Sequence, residues 1–233
     1  MGIGPFSAFE NEASVVDSLS ATSINQLGYR ALYAIAPDGN SSIAIVRSGS
    51  YIQYGFGGFI YERNGGVTIP TTGQAIYSNP YTGANAKPNY GGLRDFNESG
   101  GLEYVTGEME VIIDFDDFND GAAVKAEVSN RRVYDINNVD ITSDILAAYN
   151  STPSITSIPS LKFVIEPGVL DANGELKGTV AGVEPSGETG NYYAVLSGDN
   201  AATITGIIVV TSSDPRADFG TVRETGGFFA VRQ

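Results

Sequence analysis

Four carboxylates, Glu108, Glu110, Asp114 and Asp116, have the types and spacing that could do acid–base chemistry. Alternate residues of an extended strand lie on one face about 7 Å apart. At that separation one carboxyl can donate a proton while another activates water, as in glycoside hydrolysis. A second arrangement imitates a calcium loop: counted from Asp116, residues Asp120, Gly121 and Glu127 fall at the fifth, sixth and twelfth positions of the helix–loop–helix pattern. Phe118 stands at the third position, where an oxygen ligand is required, and the flanking segments read as strands, so a plain hairpin turn is expected. Asp171 to Glu175 is a similar imitation. Gly55-Phe56-Gly57-Gly58 lacks the strand-to-helix transition and the lysine of a phosphate cradle and reads as a bend under aromatic cover. The chain has no Cys and no His, which removes cysteine nucleophiles, the usual zinc sites, His-dependent triads and histidine-ligated haem.

The carboxylates sit in the stretch Leu102 to Tyr134, around which the rest of the chain is organised. Val105, Met109, Val111, Ile113 and Phe115 alternate with the acidic residues, which is the period of a half-buried strand. After Asn119-Asp120-Gly121, a turn signal, Ala122, Val124, Ala126 and Val128 alternate with Lys125, Glu127, Ser129 and Arg131. Pairing Asp117 with Ala122 sets Phe115 against Val124, Ile113 against Ala126 and Val111 against Val128. The same register faces Asp114 with Lys125 and Glu108 with Arg131, opposite charges across a wet face. A one-residue slip would turn charges to the apolar side. Neutralised in this way, the carboxylates are expected to be structural and the protein not to be an enzyme.

A chain of 233 residues can fold as a single all-β domain, and its 29 glycines, 13 tyrosines and 11 phenylalanines suit a turn-rich β protein. Thirteen basic against 27 acidic side chains leave a formal charge of -14, which argues against a nucleic-acid partner. No cofactor and no metal are expected. No stretch approaches the roughly 18 apolar residues of a spanning helix, and the first residues lack a basic region followed by an apolar one.

Residues 1 to about 30 read as an irregular lead-in, and Tyr29 to Ser50 as a hairpin around Pro37-Asp38-Gly39-Asn40, followed by a strand to Arg63. This divides the chain into an N-terminal extension, 1–55, and a β domain, 56–233. Thr71 to Tyr77 begins the next strand. Asn79 to Ser99, rich in Pro, Gly, Asn and Tyr, reads as a long excursion or bent strand, since Pro80 and Pro88 cannot sit in a central ladder. Its aromatics Tyr81, Tyr90 and Phe96 are the candidate partner contacts. Asp140 to Asn150 predicts one short helix with an Ile145, Leu146, Tyr149 stripe, placed as a lid or plug on one end of the domain. Further strands follow at 161–166, 174–183, 192–196, 203–211 and 226–232, with glycines recurring on the inward side of two of them. Eight or nine strands at this spacing predict a single closed antiparallel eight-stranded β-barrel, with a β-sandwich as the alternative.

Four segments follow one another in a familiar order: Thr72-Gly73-Gln74-Ala75-Ile76-Tyr77, Gly107 to Phe115, Tyr192 to Gly206 with its Ser197-Gly198-Asp199-Asn200 turn, and Glu224-Thr225-Gly226-Gly227-Phe228-Phe229-Ala230-Val231-Arg232. Together they resemble the eight-stranded barrel of transferrin-binding protein B and related bacterial surface lipoproteins, over roughly Gly55 to Gln233. Ala194, Asp199 and Thr203 depart from the family's pattern. The resemblance implies a non-enzymatic, surface-exposed binding module at the cell surface or outer membrane, exported from the cytoplasm. It also implies a lipid anchor on a cysteine before residue 1, with a mature start near Gly4-Pro5-Phe6. The partner would be an unknown protein or small molecule, and membrane association would run only through the anchor. Self-association belongs to the alternative reading, a structural subunit of a cell-surface or virion-like assembly, which the Thr/Gly/Ala-rich strands suggest. A carboxylate-based hydrolase is the third reading; it requires two acids facing an open cleft.

Overall fold

In the computed structural model, which describes residues 2–51, 54–96, 101–117, 123–149, 155–216 and 220–233, the first strands are β1 (Gly2–Ile3), β2 (Phe6–Asn11), β3 (Val15–Val16), β4 (Ser23–Ile24), β5 (Tyr29–Ile35), β6 (Ser41–Tyr51) and β7 (Tyr54–Arg63). β1, β2, β5, β6 and β7 form a five-stranded antiparallel sheet, and β3 pairs with β4 alone. The lead-in expected to be irregular is thus corrected, since Ser7 to Asn11 pair with Tyr33 to Tyr29. The cause is local: Phe6 faces inward and is buried while Phe9 faces solvent, a period-two pattern too short to stand out from sequence. The turn at Pro37-Asp38-Gly39-Asn40 forms as expected, with Gly39 at φ 73° and the Asn40 N–H donating to Asp38 Oδ1 at 3.0 Å.

The remaining elements are β8 (Gln74–Ser78), β9 (Tyr90–Phe96), β10 (Leu102–Asp114), β11 (Val124–Tyr134), α1 (Thr142–Ala148), β12 (Leu161–Phe163), β13 (Glu175–Gly182), β14 (Thr189–Ser197), β15 (Thr203–Ser213) and β16 (Thr221–Arg232). Consecutive strands from β10 to β16 pair antiparallel. β8 and β9 both lie between β16 and β10, so the sheet closes on itself. Nine strands therefore fill the eight positions of a closed barrel, and the sandwich alternative falls away.

The eighth position is one strand broken by the excursion 79–89. At the break the side chain of Asn89 stands in for a peptide unit. Its Nδ2 donates to Met109 O (3.0 Å) and Phe229 O (2.8 Å), and its Oδ1 accepts from the Met109 N–H (2.8 Å). That arrangement keeps the backbone groups of β10 and β16 satisfied where no strand lies between them.

The β10–β11 hairpin has the predicted faces but a different register. Ile113 lies opposite Val124, Val111 opposite Ala126 and Met109 opposite Val128. The pairing is shifted by two residues from that expected. Such a shift keeps every side chain on its face and changes only its partner. Lys125 therefore opposes Ile112, and Glu108 opposes Ser129; neither expected charge pair forms. The reason is a longer connection: the Asp114 N–H bonds to Ala123 O, and Phe115 leaves the hairpin to bond Gly73 O. The turn Asn119-Asp120-Gly121 lies outside the described residues.

Beyond Glu108 a bulge intervenes, with Thr106 opposite Arg132. Asn130, in the left-handed region at φ 49°, is the extra residue on β11. Val124 and Val128 point inward before it, Arg131 and Val133 after it. Arg131, expected on the wet face, is turned into the barrel.

Two cores result. The barrel interior holds Met109, Val111, Ile113, Val124, Leu196 and Ile204, with Tyr77 at its edge donating to Ala201 O at 2.8 Å. Inward glycines make room for rings: a Cβ on Gly178 would stand 2.6 Å from Tyr192 Oη. A second core lies between the outer barrel wall and the N-terminal sheet, where Leu32, Ile43 and Ile45 meet Leu93, Ile207 and Phe229. Phe6 stacks on Phe229 with ring centroids 5.5 Å apart. Glu108, Glu110 and Lys125 face outward from the apolar part of this interior. Among the described residues no helix is long and apolar enough to cross a membrane.

Candidate functional site

The bulge at Asn130 builds both sides of one stretch of barrel wall. On the inside, the Arg131 guanidinium donates to both oxygens of Glu188 (2.8 and 2.7 Å), to Glu224 Oε2 (2.7 Å) and to Pro159 O (2.7 Å). Tyr90 donates to Glu224 Oε1 at 2.6 Å. Arg94 lies 3.4 Å from Glu224 and 3.5 Å from Glu103, and Glu103 in turn accepts from Arg216 at 2.6 Å. Strand alternation explains the convergence: Glu103, Arg94 and Glu224 share the inward faces of β10, β9 and β16 with Val105, Gly92 and Phe228. α1 closes this end from above, with Ile145 buried in the barrel core and Leu146 and Tyr149 packed against it, as expected of a plug. Its first turn is held by Asp140, whose Oδ1 accepts the Thr142 N–H at 2.9 Å.

Opposite charges face one another throughout this cluster. Burial works to raise the Glu188 pKa, but the Arg131 charge and its hydrogen bonds outweigh it and leave the carboxyl below its ordinary range. Burial raises Glu103 above that range despite Arg216 and Arg94. Tyr90 is pushed well above the ordinary phenol value by burial and by Glu224.

On the outside, the same wall is the floor of a groove of about 880 Å³. The excursion supplies Lys87 and Pro88 on one side, α1 and its approach supply Asp140 and Ser143 on the other, and Glu108 and Asn130 lie between them. Asn130 Nδ2 donates to Glu108 Oε2 at 3.0 Å, and Arg132 donates to Asp140 at 2.9 Å, so the floor is ordered before any ligand arrives. Gly4, at φ 63°, lets the N-terminal turn close on Pro88: a Cβ there would lie 2.8 Å from the Pro88 carbonyl. Amide, hydroxyl, ammonium and carboxylate groups beside small apolar surfaces from Tyr134 and Leu146 suit a polar, hydrogen-bonding ligand.

The residues singled out from sequence fall elsewhere. Tyr90 is fully buried in the charged barrel end, not at a loop rim, because β9 alternation turns it inward with Arg94. Tyr81 is half-buried, its ring edge on Phe229 at 6.3 Å. The backbone of Phe96 ends β9, opposite Val222. The excursion thus borders the groove through Lys87 and Pro88 instead of through its aromatics.

Glu108 and Glu110, the acid–base candidates, open into different hollows, Glu110 into a smaller one beside Lys162 and Phe163. Asp114 accepts from Gln74 (2.6 Å) and Asp116 from the Gly73 N–H (2.9 Å), both structural contacts. No cluster of three or more potential metal-ligating acids occurs among the described residues. Asp171 closes a turn by accepting from the N–H groups of Asn173 and Glu175.

No protein-family model matches the sequence, and no curated protein does. Among solved structures, the chain is similar to a double mutant of the vaccine antigen transferrin binding protein B from Haemophilus parasuis Hp5. The TM-score is 0.49 and the identity 10%, over 100% of this chain and 38% of that one. Isotype 1 transferrin binding protein B from serogroup B Neisseria meningitidis gives 0.43 and 12% over 90% and 35%. The chain therefore spans little more than a third of the length of these proteins. The barrel itself stands on the strand pairings.

Proposed function

We propose that the chain is a non-enzymatic binding module, displayed at a bacterial cell surface, that takes a protein or small-molecule ligand in the groove beside the Asn130 bulge. The observation that carries this reading is the groove itself: about 880 Å³, lined by five separate chain segments and floored by side chains already fixed to one another. The order of Gly-aromatic segments in the sequence, resembling barrels of surface lipoproteins, supports the location and the lipid-anchored display. The division into an N-terminal unit and a β-barrel belongs to the same proposal, the first presenting the second.

The test is to probe peptide and glycan arrays with labelled protein and with Ser143→Trp, which fills the groove from α1. Features bound by the wild type and lost in the variant support the reading. Identical patterns from the two proteins place the ligand elsewhere.

A further inference from the structure

We propose that the outer face of the N-terminal sheet is a self-association surface, joining two copies of this chain about a twofold axis. The face turned away from the barrel presents Phe9, Tyr33, Ile35, Val46, Phe56 and Ile60, each 40–68% exposed. Cross-strand pairing makes them contiguous: Ser7, Tyr33, Ala44 and Ile60 form one row, and Phe9, Ala31, Val46 and Gly58 the next. With aromatic side chains burying 150–250 Å² each, these six expose roughly 600 Å² of apolar surface. Adding the alanines and glycine between them brings the face close to the roughly 800 Å² per partner of a standard stable interface.

Charge selects the occupant. The chain carries 27 acidic residues, yet among the described side chains on this face Glu62 is the sole carboxylate, and it sits at the rim, accepting from Ser42 at 2.8 Å. Two copies of a chain with net charge -14 repel wherever acids would meet acids. This face is where they can touch without that cost, and an isologous contact presents the same uncharged patch from both sides. Two sheets packed in this way lie about 10 Å apart with side chains interleaved.

The experiment is sedimentation equilibrium of the wild-type chain across concentration at low and high sodium chloride, beside Ile60→Asp and the control Thr156→Asp, a residue that lines the groove and not the outer sheet face. The expected result is a dimer that tightens as salt screens the -14 repulsion. Ile60→Asp should weaken it at least about tenfold by burying a carboxylate in the contact, while Thr156→Asp leaves it unchanged. Ile60 is 66% exposed, so the variant folds, and its circular dichroism and melting curve confirm that. A monomer at every concentration and salt, or a dimer indifferent to Ile60→Asp, overturns the proposal. So does a monomer that co-sediments with phosphatidylcholine vesicles, which gives the face to a lipid surface instead.

Discussion

The two ends of the barrel interior are built from opposite materials on the same strands. At one end Val111, Ile113, Val124, Leu196 and Ile204 close a dry core. At the other, Arg131, Arg94, Glu103, Glu188 and Glu224 are as deeply buried, with Tyr90 hydrogen-bonded among them. The apolar end gains by removing surface from water, a contribution that tolerates small changes of shape. The charged end gains little net stability, because desolvation offsets the attraction, but it fails badly if one partner is removed. Its use is geometric: a guanidinium held by four hydrogen bonds through its two terminal nitrogens fixes β11 at the bulge, and that wall is the floor of the groove.

The comparison is broken most severely at its charged end. Arg131→Ala leaves Glu188 and Glu224 buried and uncompensated, and is expected to cost about 3–5 kcal/mol in urea unfolding. Replacing Arg131, Glu188 and Glu224 together with apolar residues of similar volume should recover most of that loss. At the apolar end Ile113→Ala is expected to cost about 3 kcal/mol by leaving a cavity, with no rescue from any neighbouring substitution.

Acid sharpens the contrast. Glu188, whose folded pKa is depressed, contributes stability that is present above its ordinary value and lost as pH falls through the folded one. Glu103, whose folded pKa is raised, contributes in the opposite sense: its share is full below the ordinary value and is lost as pH rises through the folded one. Melting temperature should therefore drop below the ordinary carboxylate range in the wild type, and Glu188→Gln should flatten that drop. The smallest effect is at the bulge, where Asn130→Gly should change stability little while Asn130→Val costs about 1–2 kcal/mol, because a β-branched residue resists the left-handed region.

Much of the fold was legible in the sequence. Period-two alternation in β10 and β11 showed which side chains face inward as far as the Asn130 bulge, and the turn residues at Asp38-Gly39 and Asp171 to Glu175 marked real turns. The register was not legible, because a two-residue slip preserves every face and the loop that decides it has no periodicity. The inward charges left a trace that alternation alone obscured. Apolar positions run 124, 126, 128 and then 133, a change of parity that requires one extra residue, and Asn130 is the type that accepts it. Tyr90 was misplaced because its segment, rich in Gly and Pro, resembles a loop until Leu93 and Arg94 are seen on opposite faces. The groove joins segments more than 50 residues apart and had no signature in any one of them.

The claim on which the rest depends, that one extra residue turns Arg131 into the barrel, is tested most directly by nitrogen-detected NMR of arginine side chains at neutral pH. The account predicts guanidinium protons of Arg131 that exchange slowly with water in the wild type and become fast in Glu224→Gln. Arg131 protons exchanging in the wild type at the rate of a free arginine would contradict it.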